Sequence, residues 1–487
     1  MVLVFLWGVG CATETIAQEL GPVRPSEPEI GIDVSPTAPG PSVQRQPPQK
    51  EGAGGVRHVT DEDLKANPQL AAMILNQAML QEDWAVLKHV MRFYPQMDGV
   101  DPILRDYVQG ALYRHEGDYP RAIALYQGIV DQHSDLDYVR LELAIMLFEN
   151  KQYRQADEHF IRARKGSMER GAHMNAQRYQ LALEQQRRWK FSLQGGLAYN
   201  SNLNSANRDK DLYLPVNVPG VGPIWHPFAK RDEQFPKSAW GFKYQGRAYV
   251  ERNVSGNHFY TLDADLNGVS YNNHSDYTDF GLNLAAGYKY QDLKRWLSVT
   301  PQVNKTWMGG EAYSHSHGVG LDFGYLPNRD WQLMASYLWL RRTYDDKDYA
   351  LYNGNLRIAS ATAVRIWSPA FITFGGVGWQ RESVTFGEYS SRFPWAQFGV
   401  IMNAGNALAG RFSVRYGKKR YDDPYSLFLR TKREDREWRF STSLWKPGFK
   451  IAGMEPKLNF SYMRIKSNLP AYSRNRSEFS LMFEKTF

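Results

Sequence analysis

Apolar residues at helical spacing over residues 60–190, a switch to strict alternation from Trp189 onward, and a chain ending on Phe487 predict an α + β membrane protein. The predicted fold is an N-terminal α-solenoid of tetratricopeptide-like repeats followed by a C-terminal 14-stranded antiparallel transmembrane β-barrel.

At 487 residues the chain exceeds a single ordinary core, and at least two domains are expected. Lys and Arg number 59 against 51 Asp and Glu, a net charge of +8. That modest excess does not call for nucleic acid, and no nucleic-acid motif is present. The mean hydropathy of −0.54 excludes a bundle of transmembrane helices but not a barrel. Barrel strands alternate lipid-facing and lumen-facing residues, so their average hydropathy is low.

Residues 1–17 read as a signal peptide, with the apolar core Val2 to Gly10 and a small-residue cleavage site at Thr15-Ile16-Ala17. Its basic n-region is missing, so the true start is expected upstream. The single cysteine, Cys11, lies in this segment, so the mature chain has neither a disulfide nor a thiolate metal site. Cys11 also raises a lipoprotein signal, although Gly8 stands where such signals favour Leu. Residues 18–59 read as a Pro-rich disordered linker. The stretch 20–56 holds eight of the 25 prolines and no aromatic residue, too little to offset its ordering entropy.

Residues 60–190 read as a periplasmic tetratricopeptide-repeat domain. Gly110, Tyr113, Gly117, Tyr119, Ala122 and Tyr126 follow the spacing of the 34-residue repeat. Gly110 and Ala122 sit where the two helices of a repeat approach, Gly117 makes the turn, and the tyrosines fill the space between. One period later come Ala144, Leu147, Tyr153, Ala156 and Phe160, a second repeat. Trp84 and Leu87 suggest a degenerate repeat upstream, and Ala172 to Lys190 a closing helix. The competing reading is an unrelated helical bundle.

Residues 191–487 read as the outer-membrane β-barrel and hold 52 of the 67 aromatic residues. Alternation marks strands at Phe191–Asn200, Trp240–Val250, Phe259–Val269, Tyr277–Tyr290, Trp296–Trp307, Gly318–Leu326 and Trp331–Tyr344. It continues at Tyr352–Ile366, Phe371–Val384, Trp395–Met402, Arg411–Tyr421, Glu437–Trp445, Lys457–Ile465 and Glu478–Phe487. Connections tend to alternate long and short, the asymmetry of external loops against periplasmic turns. An even strand count puts both barrel termini in the periplasm, together with the helical domain. Phe479, Leu481, Phe483 and Phe487 share one face and form the expected signal for the barrel-assembly machinery; Lys485 interrupts it.

Tests for chemistry give little. His315 and His317 would share a strand face as half a metal site, but no third ligand is evident, so no metal is expected. Asp345, Asp346 and Asp348 form an acidic loop, read as solvated. No Ser/His or Asp/His pair stands out among the 11 histidines and no glycine loop cradles phosphate, so neither an enzyme nor a cofactor is expected. The loop Pro215 to Phe228 either plugs the barrel or faces outward.

Several stretches resemble the surface lipoprotein assembly modulator (Slam) family. They are Leu147-Phe148-Glu149-Asn150, Phe235-Pro236-Lys237, Ser443-Leu444-Trp445, Gly453 with Pro456, Lys466-Ser467-Asn468, and the closing Phe483-Glu484-Lys485-Thr486-Phe487. The resemblance spans roughly residues 60–487 and includes the Lys485 interruption. It implies a translocator that moves client surface lipoproteins, or secreted haem-binding proteins of iron and haem acquisition, from periplasm to cell surface. It also implies assembly through the barrel-assembly machinery and periplasmic chaperones, contact with outer-membrane lipids, and a monomer. The alternative is an exopolysaccharide export porin with tetratricopeptide repeats, which would favour more repeats and a lumen lined with acidic residues. The repeat array presents a concave surface suited to an extended chain, and a barrel of this strand count admits a peptide segment but not a folded domain.

Overall fold

The computed structural model describes residues 59–487 apart from 219, 406, 427 and 428; the expected signal peptide and the linker up to residue 58 lie outside the described residues. Two units emerge, one helical and one a barrel.

The helical unit opens with α1 (Asp61–Ala66), started by a reciprocal capping box between Thr60 and Asp63. Helices α2 (Pro68–Gln81) and α3 (Trp84–Val90) follow. Asp101 caps α4 (Pro102–Glu116) and Pro102 supplies its first turn. Gly117, at φ 78°, ends it in the left-handed conformation that an L side chain resists. Asp118 then caps α5 (Tyr119–Gln132) through the Arg121 amide. Helices α6 (Asp137–Glu149), α7 (Tyr153–Lys165) and α8 (Arg170–Arg187) complete the unit.

One buried cluster joins Ala122 and Tyr126 of α5 to Leu143, Ala144 and Leu147 of α6, Ala156 and Phe160 of α7, and Tyr179 and Leu183 of α8. A second joins Leu75, Leu87, Val90 and Tyr94 to Val108 and Leu112 of α4, so the α2–α3 pair packs against α4. Tyr126 lies so close to Gly110 that a Cβ there would sit 2.5 Å from its ring. In the next repeat Ala144 and Phe160 hold the corresponding positions, both fully buried.

In the second unit β1 (Lys190–Asn200) pairs with both β4 (Ala239–Ser255) and β16 (Arg474–Thr486), which closes the sheet. Between these run β5 (His258–Tyr271), β6 (Asp279–Gln291), β7 (Arg295–Met308), β8 (Glu311–Asn328), β9 (Trp331–Tyr344) and β10 (Gly354–Ser368). Next come β11 (Phe371–Val384), β12 (Ser391–Asn403), β13 (Ala409–Ser426), β14 (Leu429–Trp445) and β15 (Glu455–Ser467). Fourteen antiparallel strands thus form a closed barrel, as the alternation predicts. The short hairpin of β2 (Asp211–Val218) and β3 (Gly222–Ala229) stands apart as its own two-stranded sheet.

The connections depart from the expected alternation. β8 begins at Glu311, not Gly318, after a tight turn at Gly309 and Gly310, both at positive φ. β13 and β14 extend as a long paired hairpin where the sequence suggests a loop from Asp422 to Arg436. The turn between β14 and β15 runs from residue 446 to 454, on the side expected to be short.

Candidate functional site: the barrel wall and the repeat array

Burial alternates along each barrel strand and sorts side chains into two faces. Leu321, Phe323 and Tyr325 of β8, Val377 and Trp379 of β11, and Phe412 and Tyr416 of β13 are exposed on the outer face. So are Phe440, Leu458, Phe460 and Phe479. A contiguous exposed apolar face of this extent suits hydrocarbon rather than water. The closed barrel and this face make the chain an outer-membrane protein.

The inward wall has three sectors. On β4 to β6 it is a lattice of ion pairs: Arg247 forks onto Asp263 at 3.0 and 2.6 Å, and Lys289 meets Glu251 at 2.8 Å. On β9 to β12 it carries two buried apolar clusters, beside an Arg342–Glu382 ion pair at 3.7 Å. Leu340, Leu356 and Ile358 form one buried cluster, and Val364, Ile372 and Phe374 another. Phe393 and Trp395 add buried rings beside them. On β13 to β16 the wall is dominated by arginine. The guanidinium of Arg411 stacks over Phe374 at 5.0 Å and that of Arg415 over Trp395 at 4.7 Å. Arg433 lies between Tyr421 at 4.6 Å and Tyr472 at 3.7 Å while forking onto Asp435. Glu437, Glu478 and Glu484 pair with Arg439, Arg476 and Lys457. Such a wall offers an extended chain both apolar contact and ionic partners; it is not the acidic lining that polysaccharide export would favour.

The repeat residues occupy distinct places. Ala122, Tyr126, Ala144, Ala156 and Phe160 are buried together, and Gly110 backs onto Tyr126. Tyr113, Tyr119 and Tyr153 lie at the edge of that core, half buried. Arg121 stacks on Tyr113 at 4.4 Å. Tyr119 donates its hydroxyl to Glu149 at 2.7 Å, and burial together with that carboxylate holds its phenol well above the ordinary range.

At the other end of the chain, Phe479, Leu481 and Phe483 fall on the outward parity of β16, opposite Phe460, Leu458 and Pro456 of β15. Phe487 donates its N–H to the Phe191 carbonyl at 2.9 Å, and the Lys485 ammonium sits 4.7 Å above its ring. His315 and His317 share the outer face of β8. His315 meets Asp345 at 3.1 Å, and Lys305 meets the same carboxylate at 2.9 Å. Against the burial that opposes it, these two partners hold Asp345 below the usual carboxylate range. Asp346 spends its side chain on the Asp348 amide, within a single turn of helix.

The loop around Pro215 to Phe228 forms the hairpin β2–β3, with Tyr213, Ile224 and Trp225 exposed. The segment before it is the buried part. Asn202 bonds to the Ala206 and Asn475 carbonyls at 2.8 and 2.9 Å, and Asn207 to the Pro470 carbonyl at 2.6 Å.

Residues 189–487 match the family model described as surface lipoprotein assembly modifier, and residues 57–160 match the model of that family's N-terminal TPR repeats. Surface lipoprotein assembly modifier 1 of Haemophilus influenzae is 26% identical over 88% of this chain and 87% of that protein. Its namesake in Neisseria meningitidis is 24% identical over 91% and 88%. The hemophilin secretion modulator of Acinetobacter baumannii is 25% identical over 87% of each. A barrel over 190–486, paired helices before it and a family match to both halves lead to one assignment: the chain belongs to the surface lipoprotein assembly modifier family.

Proposed function

We propose that this protein is a translocator that carries client proteins from the periplasm through the outer membrane to the cell surface. The clients are surface lipoproteins or secreted haem-binding proteins, the two classes that the relatives' names supply. The observation that carries this reading is the inward wall of β9 to β16. It sets a buried apolar sector beside an arginine sector, a surface that an unfolded chain of mixed composition can slide along. A passive pore has no use for a repeat array; a protein translocator uses it to hold the client before entry.

In this reading residues 60–188 lie in the periplasm, the barrel termini open to that same compartment, and the protein acts as a monomer. It is inserted by the barrel-assembly machinery with periplasmic chaperones. The chain performs no catalysis and needs no cofactor, and the work of transport comes from client folding outside the cell. The test is surface display of a candidate client in cells carrying the full chain, no chain, or a chain lacking residues 60–188. Display is expected only with the full chain. Equal display in all three would overturn the proposal, while membrane leakage unchanged by the deletion, without any effect on clients, would mark a simple pore.

A further inference from the structure

On the outer face of the barrel four arginines stand directly opposite one another across four adjacent strands. Arg357 of β10 faces Arg381 of β11, Arg381 faces Arg392 of β12, and Arg392 faces Arg420 of β13. Like charges directly opposite in a sheet repel, so three successive Arg–Arg pairs cost stability unless anions intervene. A second row adjoins it, where Lys418 faces Arg436 of β14 and Arg436 faces Lys466 of β15.

Two carboxylates partly relieve this field. Asp422 pairs with Arg381 at 2.5 Å and with Arg392 at 3.7 Å. Glu434 pairs with Lys418 at 2.5 Å and with Arg420 at 3.3 Å. Arg357, Arg436 and Lys466 have no ion-pair partner among the described residues. Five cations therefore remain in excess of the two anions. The guanidinium fork of arginine fits the oxygens of a phosphate and holds them bidentately.

Position selects the ligand. On β11, β13 and β14 the cation lies just beyond the last outward aromatic ring, toward the end of the barrel away from its termini. Trp379 precedes Arg381, and Tyr416 precedes Lys418 and Arg420. On β14, which runs the other way, Arg436 precedes Trp438, whose ring packs 4.5 Å from Tyr416. Trp379, Tyr416 and Trp438 are all exposed on the outer face. Aromatic side chains of this kind mark the depth where hydrocarbon gives way to headgroups. A phosphate bound here is attached to acyl chains lying against the aromatic and apolar face below.

We infer that this arginine field on β10 to β14 is a binding site for a phosphorylated glycolipid of the outer leaflet, with the arginines on its phosphates and the rings below against its acyl chains. The leaflet rests on the barrel orientation proposed above; the lipid contact itself does not, and its readout is independent of client transport. The purified full chain is immobilised in detergent micelles and offered diphosphoryl lipid A or chemically dephosphorylated lipid A. The phosphorylated form is expected to be retained about tenfold more strongly. The combined Arg357→Gln, Arg392→Gln and Arg436→Gln variant is expected to lose that preference while keeping the heat-modifiable gel migration of a folded barrel. The comparison of the two lipids on the unaltered chain needs no variant. Equal retention of both lipids would overturn the inference, as would a folded variant that keeps the preference. Inorganic pyrophosphate that competed as well as lipid A at equal phosphate would also overturn it, by showing a free-anion site instead.

Discussion

Arg114 of α4 forks onto Glu149 of α6, Nε at 3.1 Å and Nη2 at 2.8 Å, and so joins one repeat to the next. The same carboxylate accepts the Tyr119 hydroxyl at 2.7 Å. Both ends of the pair are about a third exposed or less, where solvent screens it only partly. Glu149→Ala leaves a cation and a phenol unpaired and is expected to cost about 1–3 kcal/mol. Thermal loss of the helical far-UV signal of the full chain reads this out. In the double variant with Arg114→Ala part of the loss should return, because no cation is then stranded.

Gly110 tests the close approach of helices. An alanine there gains about 1 kcal/mol of helix propensity but places a methyl 2.5 Å from the Tyr126 ring. Overpacking costs about 1–3 kcal/mol, so Gly110→Ala is expected to lower the helical melting temperature. Tyr126→Leu in the same chain should recover part of that fall, and a Gly110→Ala chain as stable as the parent would contradict the packing described.

His159 of α7 gives the repeat array a pH dependence. It is buried, its Nδ1 has no hydrogen-bond partner among the described residues, and burial followed by repulsion from Arg140 and Arg162 lowers its pKa below 6.5. A lowered pKa means that the folded state prefers the neutral ring. The unfolded chain therefore binds the proton more readily, and the stabilising contribution, intact above pH 6.5, is lost as the pH falls below it. The melting temperature of the helical signal should drop between neutral and mildly acidic buffer, and less steeply in His159→Gln. Parallel pH curves for the two chains would refute this.

Phe487 separates stability from assembly. Its backbone pairs with Phe191 at the seam of the barrel, yet the β1–β16 ladder continues from Ser192 to Asn200 without it. Deleting Phe487 is expected to leave the refolded barrel in detergent close to the parent in melting temperature. Its amount in the outer membrane should fall severalfold, as measured by membrane fractionation. An unchanged amount would remove the terminal residue from the assembly signal.

The strands were legible wherever one side meets lipid, because there the sequence must alternate, as Leu321, Phe323 and Tyr325 do. The ends of β13 and β14 were not. Asp422, Asp423, Glu434 and Asp435 carry no apolar period to read, and Pro424 further argues against a strand. The hairpin β2–β3 was hidden for the same reason, with Pro215, Pro223 and Pro227 inside it. Arg411, Arg415 and Lys419 are visibly spaced on one face of a strand, but only the register across the barrel brings Arg411 to Phe374 and Arg415 to Trp395. The arginine row on the outer face likewise joins four strands, each contributing one residue that carries no signal alone.

A client that passes along the inner wall of this barrel must touch its inward side chains and not its outward ones. The direct measurement places a photo-crosslinking amino acid at alternate positions of β13 in cells that are displaying a client. Inward Arg411 and Arg415 should capture the client, and outward Phe412 and Val414 should not. Capture at the outward positions, or none at the inward ones while display continues, would rule out passage along this wall.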